Sequence, residues 1–173
     1  VKSVNLFFVS ADNSNLPSWD AGSHIDFQLG EQMRRSYSLA NNPGETERYV
    51  TAILREIDGG GGSQYMHDDV LVGDELTIAG PPTNLFPLDE NANKHLLIGG
   101  GIGITPLIAM GYRLKEIMAD FHLHYCTKSR EETAFYNEVI KIFGETGVTF
   151  HHDGGDPSSG IDLKDVLSAQ EDG

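Results

Sequence analysis

Three groups of residues have types and spacing that suit a phosphorylated ligand, and the clearest of them is a glycine run. His95-Leu96-Leu97-Ile98 is apolar and leads into Gly99-Gly100-Gly101-Ile102-Gly103-Ile104-Thr105-Pro106. A strand that ends in glycines before a helix leaves backbone N–H groups at the positive end of the helix, where a pyrophosphate can bind. Glycine leaves room for the phosphates, Thr105 can cap the helix, and Pro106 suits its first turn. A tight strand-to-helix connection without a ligand is the alternative interpretation.

The other two groups lie earlier in the chain. Arg35-Ser36-Tyr37-Ser38 is predicted to lie on a strand, where a period of two places Arg35 and Tyr37 on one face. They can present a cation and a flat ring to a ligand that carries phosphate and an aromatic system, although an edge arginine and a packed tyrosine would look the same. Gly59-Gly60-Gly61-Gly62-Ser63 precedes a short helical stretch, 64–68. It is either a second phosphate cradle capped by Ser63 or a flexible hairpin loop.

The elements that must position these groups change character along the chain. The first half is predicted to form short strands, because β-branched and aromatic residues alternate with polar ones between turn-forming segments. The strand candidates are 4–9, 24–29, 35–39, 49–57 and 75–78. Several short strands at this spacing predict an antiparallel barrel or sandwich.

The second half follows a different rhythm. Strand, helix, strand, helix and strand are predicted in turn over 95–98, 106–118, 121–126, 131–143 and 148–151. That order is typical of a parallel α/β sheet. One more helix is predicted over 161–169, with Asp162 near its start. We therefore predict a boundary near residue 90, which gives domains 1–90 and 91–173.

The composition narrows the functional classes. The chain has 173 residues, with 12 Lys+Arg against 26 Asp+Glu, so its net charge is −14. This acid excess disfavours nucleic acid and anionic membrane surfaces as partners. Cys126 is the single cysteine, so the chain cannot by itself supply the four thiolates of an iron–sulfur cluster. A cytoplasmic location without a signal peptide is predicted, and the start at Val1 without Met suggests a fragment.

The order of the three groups is itself informative. Arg35-x-Tyr37-Ser38, then Gly61-Gly62-Ser63, then the strand followed by GGGIGITP resembles the ferredoxin-NADP reductase superfamily. Further segments resemble its phthalate dioxygenase reductase branch, which includes the reductases of vanillate demethylase and carnitine monooxygenase. These segments are Ala21-Gly22-Ser23-His24-Ile25, Ala52-Ile53-Leu54-Arg55-Glu56, Gly61-Gly62-Ser63 with Met66-His67, Asn84-Leu85-Phe86-Pro87-Leu88 and His124-Tyr125-Cys126. The resemblance covers nearly the whole chain.

The resemblance implies both a fold and a function. The fold is an antiparallel β-barrel that binds flavin, usually FMN and alternatively FAD, followed by a parallel-sheet α/β domain that binds NADH. The function is that of an NADH-dependent flavoprotein oxidoreductase, in which hydride passes to flavin N5 and electrons leave for an iron–sulfur acceptor of an oxygenase system. The alternative is a truncated, non-catalytic module that binds flavin, nucleotide or a partner. The family's plant-type [2Fe-2S] domain, its Cys-Gly-Pro segment and the opening strand of the barrel are expected to be missing, so no iron–sulfur cluster is expected in this chain.

The resemblance also implies roles for individual residues. In the first domain Arg35 would pair with the flavin phosphate, Tyr37 would pack on the isoalloxazine ring, and Ser38 would lie near its reactive N5. Tyr37 and Ser38 are therefore the catalytic candidates. The other predicted flavin residues are Leu39, the backbone of Ala52, Ile53 and Leu54 at the pyrimidine edge, and Gly61, Gly62 and Ser63 at the phosphate. The predicted dinucleotide residues are Gly100, Gly101, Ile102, Gly103, Thr105 and Pro106.

The identity of the dinucleotide stays open at this point. Lys128 and Arg130 follow the second α/β strand, where a cation can hold the 2′-phosphate of NADPH, whereas the resemblance favours NADH. Cys126 either lines the nicotinamide pocket or fills space. His122 and His124 share a strand face, and packing is favoured over metal binding, so no metal site is predicted.

One position departs from the pattern of the branch. Gly60 stands where the branch often has an arginine next to the flavin phosphate. Arg34 and Arg55 are the two cations that could supply the missing charge.

Overall fold

The structure is a computed structural model that describes residues 3–169, so Val1 lies outside it. The chain divides into two compact units. The first comprises the described residues up to Leu88 together with Thr105–Met110, and the second comprises Asp89–Ile104 and the described residues from Gly111 onward. The domain limits 1–90 and 91–173 remain predictions.

Up to Leu88, the first unit contains six antiparallel strands and one helix. They are β1 (Ser3–Phe8), β2 (Ser23–Leu29), β3 (Met33–Ser38), β4 (Tyr49–Leu54), α1 (Gly62–Asp68), β5 (Thr77–Ile78) and β6 (Thr83–Asn84). β1 pairs with β4, while β2 pairs with β3, β5 and β6. A bridge between Leu39 and Thr51 connects the two groups of strands. The alternation that predicted β2 is real, because Ile25, Phe27 and Leu29 are all buried.

Two strands of this unit are shorter than their residue types predict. β4 stops at Leu54 instead of residue 57, since the backbone N–H of Glu56 donates to the Ser63 hydroxyl, 3.1 Å away, and the chain turns toward α1. β5 is confined to Thr77–Ile78, which pair with Gln28 and Phe27 of β2.

The second unit is a three-layer sequence of parallel strands and helices. It contains β7 (Lys94–Gly100), a 3₁₀ turn (Gly101–Ile104), the part of α2 (Thr105–Glu116) from Gly111 onward, β8 (Asp120–Thr127), α3 (Tyr136–Phe143), β9 (Val148–His152), a second 3₁₀ turn (Pro157–Ser159) and α4 (Leu163–Ser168). The strands are parallel in the order β7-β8-β9. Antiparallel strands followed by a parallel α/β sheet is the architecture that the sequence predicts.

Two helices of the second unit show how local contacts set helix ends. α3 begins at Tyr136 instead of residue 131, because the preceding segment is held as a turn in which the Thr133 hydroxyl donates to the Ser129 carbonyl at 2.8 Å. Phe135 at the N-cap has a φ of 58°, in the left-handed region. The prediction that Asp162 lies near the start of this helix is confirmed, and its carboxylate accepts hydrogen bonds from the backbone N–H groups of Lys164 and Asp165 at the start of α4.

The helices of the described chain are short. Among residues 3–169, no helix combines the length and the apolar character needed to cross a membrane.

The turn between α3 and β9 generates a stability prediction. A Cβ on Gly147 would overlap the backbone carbonyl oxygen of Phe143, which cannot move aside, whereas a Cβ on Gly103 would meet no described atom within 4 Å. We expect Gly147→Ala to lower the free energy of unfolding by roughly 1–3 kcal/mol through overpacking. Urea unfolding measures this, with Gly103→Ala as the matched control. Equal stability of the two variants would contradict the packing described for this turn.

Candidate cofactor-binding sites

Arg35 lies against the glycine-rich loop that precedes α1. Its Nη2 donates to the carbonyl of Gly60 at 2.5 Å, and its Nη1 donates to the carbonyl of Arg34 at 2.8 Å. The side chain passes so close to Gly62 that a Cβ there would lie 2.5 Å from Arg35 Cγ and 2.7 Å from Nε. Glycine at 62 is therefore what allows the guanidinium to reach this loop. The structure thus brings together two groups that the sequence separates by 25 residues.

Side chains at the start of α1 make hydrogen bonds to the preceding segment and do not cap the helix. Its N-cap is Gly61, which has a φ of 79°, and no side chain caps the helix. The prediction that Ser63 caps the helix is wrong, because the Ser63 hydroxyl instead accepts the Glu56 N–H. Gln64 donates to the carbonyl of Ile57 at 2.7 Å. The N–H groups of the first turn have no partner within the helix itself.

Arg35 differs from the nearby arginines in one respect. Its guanidinium has no carboxylate partner among the described residues. Arg34 pairs with Asp26 and Arg55 with Asp68, each at 2.5 Å. The two cations that could replace the charge absent at Gly60 are therefore both engaged in ion pairs. A guanidinium has five N–H donors, and Arg35 uses two of them on carbonyl groups. Three donors remain for a ligand with phosphate oxygens.

Tyr37 shares the face of β3 that carries Arg35. Residues 33, 35 and 37 are partly buried while 34 and 36 are exposed, so the alternation predicted for this strand is observed. Burial raises the pKa of the Tyr37 phenol, the Arg35 charge opposes this rise, and Glu56 adds to it. The phenol is therefore neutral near pH 7. The pair presents a flat neutral ring beside a cation.

The remaining residues predicted to contact flavin are placed by the same two strand pairs. Ser38 ends β3 and is partly exposed, opposite His24. Leu39 is fully buried and its N–H donates to the Ser23 carbonyl at 2.9 Å, so the described structure exposes no part of it to a ligand. The side chains of Ala52 and Ile53 are buried, and the Ile53 carbonyl lies 2.9 Å from Nε2 of His67. One of the β4 carbonyl groups predicted to meet the flavin is therefore already in contact with a side chain of α1.

The opposite face of β3 is fastened by one carboxylate. Asp26 of β2 accepts hydrogen bonds from Ser36 and from Arg34, and Nε2 of His24 lies 3.9 Å away. The Ser36 hydrogen bond is the largest cause that holds the pKa of Asp26 below its ordinary value, followed by Arg34 and His24, while burial acts in the opposite direction. Asp26 therefore fixes the strand that carries Arg35.

In the second unit the glycine turn faces open space. A Cβ added to Gly100, Gly101 or Gly103 would meet no described atom within 4 Å, and only Gly101 has a positive φ, of 50°. Gly111 is different, because a Cβ there would lie 2.6 Å from Cζ of Phe143. Packing of the described chain therefore does not require glycine at 100 or 103. The missing side chains leave the backbone of the turn accessible.

The start of α2 corrects one expectation. Thr105 is the first residue of the helix, Ile104 occupies the N-cap, and no side chain caps this end. The prediction that Thr105 caps the helix is wrong, although Pro106 does lie in the first turn as predicted. Ile102 lies within the 3₁₀ turn and is partly exposed.

The loop after β8 carries Lys128 and Arg130. The Arg130 guanidinium lies 4.7 Å over the Tyr136 ring, and that ring stacks on Phe150 at 4.9 Å. Ser129 donates to the Glu131 carboxylate at 2.8 Å, which places an acid beside Arg130. Arg130 is therefore held by an aromatic ring and accompanied by a negative charge.

Cys126 and the histidines lie on the three-stranded sheet. Burial raises the pKa of the Cys126 thiol, and the Asp153 charge acts in the same direction. His122 contacts the Thr149 hydroxyl and His124 contacts His151, each at 2.9 Å. Within residues 3–169 no group of three or more His, Cys, Asp or Glu side chains has an arrangement that could hold a metal ion.

Several known oxygenase reductases are similar to this chain in sequence or in structure. The chain is 42% identical over 171 residues to the reductase subunit of tert-butanol monooxygenase / tert-amyl alcohol desaturase of Aquincola tertiaricarbonis. It is 45% identical over 150 residues, 86% of its length, to the vanillate O-demethylase oxidoreductase of Acinetobacter baylyi. The solved structure of phthalate dioxygenase reductase, described as modular for electron transfer from pyridine nucleotides to [2Fe-2S], superposes with a TM-score of 0.91 and 35% identity over 98% of this chain.

The chain is a homologue of the oxygenase reductases in the phthalate dioxygenase reductase branch. It spans 50% and 46% of the two curated relatives and 53% of the solved structure. No protein-family model matches it. The resemblance and the ferredoxin reductase-like fold predicted from the sequence are therefore confirmed.

One residue of this oxygenase reductase homologue was missed by sequence reasoning. Tyr125 is fully buried, and its hydroxyl lies 2.9 Å from the carbonyl oxygen of Gly101 in the glycine turn. The only local signal is its position in the alternation of β8, which predicts a core residue. Its partner lies on another element, so no pattern within the strand reveals the contact.

The Asp26 contacts generate a pH prediction. Because the pKa of Asp26 is lowered on folding, its stabilising contribution is present above the unfolded pKa, roughly 4, and is lost as the pH falls through the folded pKa. We expect Asp26→Asn to lower the free energy of unfolding by about 1 kcal/mol at pH 7 and by less below pH 4. Urea unfolding across this range tests it, and a constant difference at all pH values would contradict the assignment.

Proposed function

We propose that the chain is the flavin- and nicotinamide-binding part of an NADH-dependent oxygenase reductase, with FMN favoured and FAD as the alternative. The observation that carries this proposal is the seating of Arg35 on the Gly60–Gly62 loop, on the same strand face as Tyr37. The homology to oxygenase reductases supports it.

The residues of the first unit fit a flavin that ends in a phosphate. The three remaining Arg35 donors and the first-turn N–H groups of α1 provide charge-assisted donors for the phosphate oxygens. The Tyr37 ring offers a flat surface for the tricyclic ring, and Ser38 offers a hydroxyl at the end of the same strand. Bound flavin accepts two electrons from a reduced nicotinamide and releases them singly. The chain supplies binding, orientation and a fixed positive charge.

The residues of the second unit fit the pyrophosphate of a dinucleotide. Gly100 and Gly103 leave the backbone accessible, so phosphate oxygens can approach the start of α2. NADH is favoured over NADPH, because Glu131 lies beside Arg130 and would repel a 2′-phosphate. The stacking of Arg130 on Tyr136 also leaves its guanidinium less free to turn toward that phosphate.

An iron–sulfur protein or domain that serves an oxygenase is the proposed electron acceptor. The description of phthalate dioxygenase reductase as transferring electrons to [2Fe-2S] supports this class of partner, and this chain spans 53% of that structure. The single cysteine means that the acceptor cluster needs ligands from outside these 173 residues. A cytoplasmic location and the lack of nucleic-acid and membrane partners stay predictions.

A second candidate is a non-catalytic module that binds flavin or nucleotide weakly. Gly60 favours it, because the branch often has an arginine there and both neighbouring cations are engaged in ion pairs. The two candidates differ in one measurement, the reduction of bound flavin by NADH.

The first prediction for the function concerns the reduction of bound flavin by NADH. Under anaerobic conditions NADH should bleach the flavin absorbance of the chain, while Gly103→Val should retain flavin but bleach at least tenfold more slowly, because a branched side chain occupies the space of the pyrophosphate. Stopped-flow absorbance records both rates. Absence of bleaching in the parent would favour the non-catalytic module, and equal rates would show that the nucleotide binds elsewhere.

The second prediction concerns flavin affinity. Arg35→Ala should weaken FMN binding by about 10- to 100-fold, the size expected for lost hydrogen bonds to a charged group. Quenching of flavin fluorescence on titration gives the Kd. Arg48→Ala is the matched control, since Arg48 of the same unit pairs with Glu45 and stacks on Phe7. If both variants bound FMN as the parent does, the phosphate would not lie at Arg35.

A further inference from the structure

The Tyr125 hydroxyl is shared between two segments of the second unit. It lies 2.9 Å from the carbonyl oxygen of Gly101 and 3.1 Å from the carbonyl oxygen of Ala134. Gly101 belongs to the 3₁₀ turn after β7, and Ala134 belongs to the loop between β8 and α3. One donor therefore holds two backbone segments that are far apart in sequence.

These two segments differ in how firmly the rest of the chain holds them. The loop 128–135 is tied to β8, because the Thr127 and Thr133 hydroxyls lie 2.9 Å apart and Thr133 donates to Ser129. The glycine turn is exposed, and Gly101 has a left-handed φ with open space around its Cα. The Tyr125 hydroxyl thus connects an exposed, glycine-rich turn to a loop that further hydrogen bonds hold in place.

The surroundings of Tyr125 keep this hydroxyl a donor. The side chain is fully buried and its ring lies 6.1 Å from that of Phe150. Burial raises the pKa of the phenol well above its ordinary value. The proton is therefore retained at every pH at which the chain is expected to work, and the bond to the turn does not titrate away.

We propose that Tyr125 is a positioning residue that fixes the separation between the Gly100–Gly103 turn and the loop 128–135, so that one adenine dinucleotide can contact both. The inference rests on the nucleotide site proposed above. A ligand that contacts only the turn does not depend on this separation, whereas a ligand that spans turn and loop does. Loss of the hydroxyl should therefore weaken the spanning ligand selectively.

The test compares a spanning ligand with a shorter one by calorimetry on the whole chain. ADP-ribose reaches from the turn to the loop, and nicotinamide mononucleotide reaches only the turn. In Tyr125→Phe, which keeps the buried ring, we expect the Kd of ADP-ribose to rise about fivefold, the size of one hydrogen bond, and that of nicotinamide mononucleotide to change less than about twofold. The KM for NADH should rise while kcat is retained.

Two further variants keep the test decisive. Tyr112→Phe removes a partly buried hydroxyl of α2 that donates to the Glu138 carboxylate of α3. It should therefore change neither Kd. Thr133→Val loosens the loop without touching Gly101, and it should weaken ADP-ribose while sparing nicotinamide mononucleotide.

The outcomes separate the inference from the function on which it rests. An unchanged Kd for ADP-ribose in Tyr125→Phe, or an equal loss for both ligands, would overturn the positioning role. A parent chain that binds neither ligand would instead overturn the proposed nucleotide site itself. Thermal unfolding of each variant shows whether a loss of binding reflects a loss of fold.

Discussion

The absence of a side chain at particular glycines is the constraint on which both candidate sites depend. Glycine serves two different needs in this chain. At Gly62 and Gly147 a Cβ would overlap neighbouring atoms of the chain itself, so packing requires the glycine. At Gly100 and Gly103 a Cβ would meet nothing described, so packing of the described chain tolerates a side chain there, whereas the proposed dinucleotide would not. This distinction cannot be seen in the letters of the sequence, where all four residues look alike.

Arg35 also differs from several other arginines of the chain in its electrostatic surroundings. The chain carries 26 acids against 12 Lys and Arg, and several arginines are neutralised locally. Arg34, Arg55 and Arg113 are each paired with a carboxylate. Arg35 instead donates to backbone carbonyls, which orient it without cancelling its charge. In an acidic protein, an oriented guanidinium beside a helix N-terminus is a local attractor for an anion that the overall field repels.

The sequence predicts the elements well and their contacts poorly. Alternation along β2 and β3 and the apolar run before Gly99 predict the strands, because burial on one face leaves a pattern of period two or a short apolar run. The ends of elements were less accurate, as for α3, because turns such as the one closed by Thr133 depend on hydrogen bonds that propensity does not report. Ser63 and Thr105 have residue types that suit a cap, yet neither caps a helix in the structure.

The same physical reason explains why the supports of the two sites escaped sequence reasoning. Ser63 reaches back to Glu56, and Tyr125 reaches from one strand to the turn after another. In each unit a strand ends in a glycine-rich turn that has few side chains to hold its own shape. In each case a hydroxyl contacts a backbone group several residues or more away in sequence, and only the fold brings the two together. Because glycine leaves the backbone of a turn more conformations than other residues do, such a hydrogen bond helps to hold the turn in one shape.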